Sequence, residues 1–236
     1  MAKLARIVVA GMPHHITHRG NRKCVLFWDE SDRETYLRIL LHQIIKVGLR
    51  IWAYALMTNH VHFVAVPKAE ESLGIFFRNV DGTYADYFNA KYDQVGHLWG
   101  ERFKSAVLDE PYLWNAVRYV ERNPVRASMV DRAEDYRWSS AAAHCGLRED
   151  PLLSPDLPLI GQIADWSTWL SGDVSLAEID LLRARTQSGR PCGDDTFLRD
   201  LSAQLGRNLL PGKRGPKREV TPSDGAQTTL LHEFGG

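Results

Sequence analysis

Two short strings contain residues whose types and spacing could do chemistry. In His60-Val61-His62 the two imidazoles stand two residues apart. On a strand that spacing projects both rings from one face, where they can share a divalent ion. Apolar residues on both sides, Ala53 to Leu56 and Phe63 to Val66, imply a buried strand pair. Polar rings buried there need partners, or each costs roughly 1 to 3 kcal/mol. Histidines in strands are common, so the pair alone does not separate an ion site from two packed rings. The second string is RYVERNPVRA, residues 118–127, in which Tyr119 and Asn123 stand four apart. On a helix they share a face and can address one site together. Pro124 disfavours helical geometry at Asn123, which makes the oxygen of that side chain available as a ligand. Without a further motif the plainer reading takes precedence, with Tyr119 in a stripe with Tyr112, Ala116 and Val120 packed on a sheet and Asn123 as a cap.

The elements that must position these groups follow a regular order. A strand through His14 to Thr17 ends at the turn signal Gly20-Asn21. Residues 29–47 place Tyr36, Leu37, Leu40, Leu41, Ile44 and Ile45 at helical spacing behind an acidic start, and Gly48 closes the segment. Residues 51–57 and 60–66 read as two strands joined by a tight turn at Thr58-Asn59. A helix is expected over about 70–91, a fourth strand over 102–108, and a helix from Pro111 to a break at Asn123-Pro124. The order is βαββαβ followed by a helix. It predicts an α+β fold with a ferredoxin-like (split βαβ) antiparallel sheet carrying helices, and a small helical C-terminal region over 176–186 and 194–206.

Composition limits the classes open to the chain. At 236 residues, 44% hydrophobic and 25% charged, it can bury one good core and a smaller second one. Cys24, Cys145 and Cys192 are far apart and odd in number, which suggests neither a disulfide framework nor a thiolate zinc site and fits a reducing cytoplasm. No run of about 18 apolar residues occurs, so an unexported cytoplasmic protein without a membrane span is expected. The net charge of zero conceals segregation. Lys3, Arg6, Arg19, Arg22 and Lys23 make residues 1–28 purely basic, as Arg207, Lys213, Arg214, Lys217 and Arg218 do for residues 206–218. Residues 149–180 carry seven acids, from Glu149 to Asp180, and no Lys or Arg. Basic ends of this kind can meet phosphates or simply be solvated.

Several separated strings together resemble a known family. LMTNHVHFV is similar to the HUH signature of single-tyrosine insertion-sequence transposases, and RYVERNPVRASMV followed by DYRWSSAAAH resembles the tyrosine-helix region of REP-associated tyrosine transposases. PHHITHRGN near the start, and more loosely SGRPCGDDTFLRDL near residue 190, extend the resemblance over most of the chain to about residue 215. It implies the HUH endonuclease fold. His60 and His62 become paired metal ligands, Asn123 the third ligand and Tyr119 the nucleophile, with Mg²⁺ or Mn²⁺ as the divalent ion. Thr58 stands where relatives often have proline, and Tyr112, one heptad before Tyr119, is an alternative nucleophile. His15 and His18 lie on a strand that should border the site, but the family pattern assigns them no role.

The implied activity is cleavage and rejoining of single-stranded or hairpin DNA, palindromic extragenic repeats in the family, through a 5′-phosphotyrosine intermediate, by a monomer or homodimer. Expected DNA contacts are Arg19, Arg22, Arg102, Lys104, Arg118, Arg122, Lys213 and Arg214; Trp99 and Phe103 could stack on bases, although packing is the commoner role for such residues. The corresponding organisation is a catalytic domain over 1–148, an acidic connecting segment over 149–175, a small helical region over 176–210 that could read DNA, and a basic, disordered tail over 211–236. Competing readings are a rolling-circle initiator or relaxase, a catalytically inactive sequence-specific DNA-binding relative, and a hydrolytic zinc enzyme. The last lacks a Glu beside the histidines to serve as base.

Overall fold

The computed structural model describes residues 6–172 and 175–210. Its centre is an antiparallel sheet of four strands, β1 (His14–Arg19), β2 (Arg50–Met57), β3 (His60–Val66) and β4 (Lys104–Val107), in the order β2-β3-β1-β4. This is the ferredoxin-like arrangement expected from the sequence. The first helix, α1 (Glu30–Val47), connects β1 to β2, and α2 (Ser72–Tyr92) connects β3 to β4. After β4 come α3 (Glu110–Glu121) and the short α4 (Asn123–Arg126), α5 (Ala141–His144) and α6 (Trp166–Ser171). The last two helices are α7 (Leu176–Ser188) and α8 (Asp195–Leu205). Among the described residues no helix is long and apolar enough to cross a membrane.

Strand alternation gives the sheet two different faces. One presents Ile16, Tyr54, Leu56, Val61, Phe63 and Ala65 to an aromatic-rich core with Tyr36 and Leu40 of α1 and Phe76, Phe77, Val80 and Tyr84 of α2. The other presents Ala53, Ala55, Val64 and Ala106 to Leu113, Ala116, Val117 and Val120 of α3 and to Ile179 and Leu182 of α7. Small alanines on that face leave room for a closely seated helix. A register shift between Ile51 and Ala53 marks a bulge in β2. Trp52, at the bulge, joins the second core, and its indole N–H donates to Asp156 Oδ1 at 2.9 Å.

Trp99 and Phe103 are not exposed platforms for bases. Both are buried in the first core, and Trp99 donates its indole N–H to the Asp81 carbonyl at 3.1 Å. The tyrosine helix ends at Glu121, next to the expected break at Asn123-Pro124, but Asn123 itself is helical. Arg122 stays in right-handed helical geometry, and α4 follows directly, with the Arg126 amide donating to the Arg122 carbonyl at 3.0 Å. Proline lacks only the donor of a first helical turn, so at the second position of α4 it is tolerated. The acidic segment packs on the sheet: Leu157 and Leu159 enter the second core, and Leu153 forms a parallel bridge with Ile51.

Helix α1 starts with reciprocal caps, Asp29 Oδ1 accepting from the Asp32 amide at 3.0 Å and Asp32 Oδ2 from the Asp29 amide at 3.2 Å. It ends at Gly48 with φ 63°, where an added Cβ would lie 2.8 Å from the Lys68 side chain. Asp32 is fully buried and also ties α1 to α2, accepting from Lys91 Nζ at 2.8 Å and from the Tyr92 and Tyr87 hydroxyls at 2.8 and 3.1 Å. Burial would raise its pKa, but these donors, Lys91 foremost, hold it below the ordinary carboxylate value. Asp32→Ala strands Lys91 and two tyrosine hydroxyls and should lower unfolding free energy by about 3 kcal/mol in urea titration. A change below about 1 kcal/mol would refute this account of the α1–α2 contact.

Candidate active site

The two histidines of β3 meet the tyrosine helix across the second face of the sheet. A pocket of about 890 Å³ is lined there by His15, Thr17 and Arg19 of β1, His60 and His62 of β3, Tyr119 of α3, Asn123 and Arg126 of α4, and Arg183 and Thr186 of α7. Pairing of β1 with β3 puts Thr17 opposite His62 and Arg19 opposite His60, which places His15 beside His62 on the same face. The His60 and His62 rings are 4.9 Å apart and nearly perpendicular. Tyr119 stands edge-on to His62 at 5.5 Å and to His15 at 5.4 Å between ring centroids. Sequence spacing brought each pair together locally; the packing of α3 on β2 and β3 unites the pairs.

Each ligand candidate has a fixed neighbour. His60 Nδ1 donates to Asn59 Oδ1 at 2.7 Å, so its Nε2 retains the lone pair. His62 Nδ1 lies 3.2 Å from His15 Nε2, and His15 Nδ1 lies 2.7 Å from Thr186 Oγ1. Asn123 donates its amide N–H to the Tyr119 carbonyl at 2.9 Å, which leaves Oδ1 as the side-chain atom with lone pairs to offer. Among the described residues no group of three or more His, Cys, Asp or Glu side chains could hold a metal. An ion here would therefore rely on two imidazoles and a neutral amide oxygen, a set that fits Mg²⁺ or Mn²⁺ with open positions for other oxygens.

The electrostatics keep the rings neutral and the rim positive. Burial, aided by Arg19, pushes the His60 imidazole down to about 4. Burial alone takes His15 to about 3. His62 lies well below its ordinary value through burial, with His15, His60, Arg19 and Arg183 adding repulsion. Neutral imidazoles have no proton to lose before binding a cation. Arg19, Arg22, Lys23, Arg102, Lys104 and Arg126 border the pocket, with Glu101 as the acid among its described lining residues. The 3₁₀ turn Asn21–Lys23 holds Arg22 and Lys23 in the left-handed region at φ 49° and 64°, a strained geometry for side chains of this length.

Not every expected contact reaches this pocket. Arg118 stacks on Trp169 at 4.3 Å, and Arg122 bonds to the Gly172 carbonyl, so both point toward α6. Tyr112 packs at the edge of the second core and lines neither the pocket nor the histidine pair. Lys213 and Arg214 lie outside the described residues. His18 also borders the pocket, but its ring turns to the opposite core, stacked on Trp99 at 4.6 Å, with Nε2 donating to the Glu101 carbonyl at 2.8 Å and Nδ1 3.1 Å from Asp81.

Arg126, Arg183 and Thr186 were missed by the sequence reading. Arg183 Nε donates to the Tyr119 hydroxyl at 3.2 Å, and the Arg126 guanidinium sits 4.9 Å from the Tyr119 ring. A usable signal existed: Ile179, Leu182, Arg183 and Thr186 occupy the i, i+3, i+4 and i+7 positions of one helix stripe, where two polar residues are out of place. Between Tyr119 and Asn123, the fully buried Glu121 anchors the helix by accepting from the Ser140 hydroxyl and lying 2.6 Å from His144 Nδ1. Ser140 in turn bonds to the Tyr54 amide at 3.0 Å, which locks α3 to β2.

A tyrosine on a helix, set against a histidine pair on a ferredoxin-like sheet beneath a basic rim, defines a protein built to handle phosphodiesters. Residues 8–123, just under half of the chain, match the family model described as IS200-like transposase. No curated protein matches the chain. A solved REP-associated tyrosine transposase bound to a REP hairpin aligns with TM-score 0.53 and 18% identity, covering 66% of this chain and 93% of that one. It shares the fold. A candidate transposase from Deinococcus radiodurans R1 aligns with TM-score 0.37 and 18% identity, over 51% of this chain and 97% of that one.

The buried neutral histidines dictate the response to acid. His14, on the far side of β1, is also pushed down by burial to about 4, against a backbone bond to Met12. A histidine whose folded pKa lies below its unfolded value of 6.5 contributes fully above that value and loses its contribution as pH falls toward the folded pKa. The urea midpoint of the metal-free protein should be level above about pH 7 and fall between 6.5 and 4, each such histidine adding up to about 1.4 kcal/mol per pH unit. A midpoint that stays constant down to pH 4.5 would contradict the burial of these rings.

Proposed function

We propose that this protein nicks and rejoins single-stranded DNA at hairpins of palindromic repeats, with Tyr119 as nucleophile. The carrying observation is the approach of the Tyr119 ring to His62, with Asn123 one turn further along the same helical run. Attack by the phenol oxygen forms a tyrosine–phosphorus bond and breaks the bond to the 3′ oxygen. The phenol proton leaves to solvent, and the 3′ oxygen takes one up. A 3′-hydroxyl can reverse or redirect the step without ATP, since one phosphodiester replaces another.

His60, His62 and Asn123 are the residues that would hold Mg²⁺ or Mn²⁺, leaving open positions for a phosphate oxygen and water. Bound there, the ion supplies charge neutralisation at a non-bridging phosphate oxygen. Arg19, Arg22, Lys23, Arg102, Lys104 and Arg126 orient the strand through its phosphates. The related solved protein is described as bound to a REP hairpin, which supports the same class of partner here. Action on chromosomal DNA is a cytoplasmic task in a bacterial cell. Arg118 and Arg122 act instead in holding α6.

The test is a labelled hairpin oligonucleotide incubated with the protein and Mg²⁺ or Mn²⁺, then resolved under denaturing conditions. A covalent adduct is expected, reduced to background in Tyr119→Phe and in His62→Ala, and retained in Tyr112→Phe. Persistence of the adduct in Tyr119→Phe sinks the assignment, and its loss in Tyr112→Phe alone moves the role to Tyr112. Hairpin binding without adduct identifies a DNA-binding relative that lacks the chemistry. The basic tail is proposed to bind further phosphates. Removing residues 211–236 should flatten the dependence of log affinity on log salt by about 0.7 for each phosphate that the tail neutralises. An unchanged slope excludes the tail.

A further inference from the structure

We propose that α7 is part of the catalytic site: Arg183 acts on the oxygen of Tyr119, and Thr186 positions His62 through His15. The inference rests on the reading of Tyr119 as nucleophile and of His60, His62 and Asn123 as an ion site. It concerns a helix that lies wholly outside the family-matched residues 8–123.

The Thr186 hydroxyl lies 2.8 Å from the Leu182 carbonyl and 2.7 Å from His15 Nδ1, and it has one proton to give. Donated to Leu182, that proton leaves Oγ1 as an acceptor for a proton on His15 Nδ1. His15 Nε2 then carries a lone pair, 3.2 Å from His62 Nδ1. Accepting there sets the proton of His62 on Nδ1 and leaves His62 Nε2 bare toward the pocket. Run in the opposite direction, the same chain would put a proton on His62 Nε2 and block it. Asn59 Oδ1, an acceptor, enforces the equivalent state on His60 at 2.7 Å. Both rings thus present Nε2, with proton positions set by neighbours that would not touch the ion.

Burial argues against an incidental contact. Thr186 and His15 are each 1% exposed, between α7 and the sheet, where apolar residues would otherwise fill the stripe that begins with Ile179 and Leu182. Arg183, one turn before Thr186, donates from Nε to the Tyr119 hydroxyl at 3.2 Å and from Nη1 to Asp180 Oδ1 at 3.3 Å. A guanidinium remains charged throughout, so it stabilises the phenol oxygen as its proton departs. Because it touches the attacking atom, Arg183 is a catalytic residue, whereas His15 and Thr186 are positioning residues.

Long-range ¹H–¹⁵N spectra of the metal-free protein read the chain directly, and Mn²⁺ affinity measured by electron paramagnetic resonance reads its consequence. The wild type should show His62 protonated at Nδ1. Thr186→Val, nearly equal in shape, should lose that preference and bind Mn²⁺ roughly 10- to 100-fold more weakly, and Thr186→Ser should restore both. If Thr186→Val fails to fold, His15→Phe, which keeps a ring and removes both nitrogens, probes the same link with the same expected weakening. Arg183→Gln should retain Mn²⁺ binding and slow adduct formation at saturating Mn²⁺ and DNA by about tenfold or more. Wild-type Mn²⁺ affinity and tautomer in Thr186→Val, or in His15→Phe where that variant serves, would overturn the positioning role. A wild-type rate in Arg183→Gln would overturn the catalytic one. A wild-type protein that takes up no Mn²⁺ removes the ion site itself, a failure distinct from either.

Discussion

The register of β1 against β3 is the constraint on which the site depends. With Thr17 opposite His62, the odd-numbered residues of β1 face α3 and α7, and the even-numbered Ile16 and His18 face α1 and α2. Strand side chains alternate strictly, so a slip of one residue would exchange the two sets. Ile16 would then enter the polar pocket, and His15 would be driven among Phe63, Phe76 and Phe77 without a partner. β1 is also paired with β4 on its other edge, so its register is held from both sides. The apolar packing of one face therefore fixes the chemistry of the other.

The two faces divide the work. Interlocked rings of Tyr36, Phe63, Phe77, Tyr84 and Trp99 fill the side toward α1 and α2, and such rings have few alternative arrangements. The side toward α3 is paved with alanines and tied by polar bonds from Glu121, Ser140 and Tyr54. A helix whose residues must meet a fixed point on the sheet gains more from directional bonds than from apolar area, because hydrogen bonds specify where along the strand it stops. Glu121 lies between the two residues whose positions matter most, Tyr119 and Asn123.

Much of this was legible because it is local. Continuous apolar runs marked β2 and β3, the acidic cap and Gly48 marked α1, and the spacing of His60 with His62 needed only a strand to become a pair. The choice between stacking and packing for Trp99 and Phe103 stayed open because aromatic type does not reveal burial, and the partners that bury them, such as Phe77, come from α2. The break before Pro124 was legible, but the helical geometry of Asn123 was not, since a proline's effect depends on its position within a helix and here it opens a new turn. Thr186 and His15 are 171 residues apart, and no local spacing can announce such a pair. Only the return of the chain along β4, where Cys192 bridges Leu108, brings α7 over the pocket.

Tyr119, His60, His62, Asn123, Arg183 and Thr186 all come from one copy of the chain. A pocket whose members share one polypeptide is assembled by folding alone and is as complete at picomolar dilution as at high concentration. No exchange of helices between copies is needed to bring the Tyr119 ring beside the histidine pair. On the proposed function, strand exchange between two distant repeats would then depend on how the DNA is brought together rather than on a pocket shared between copies.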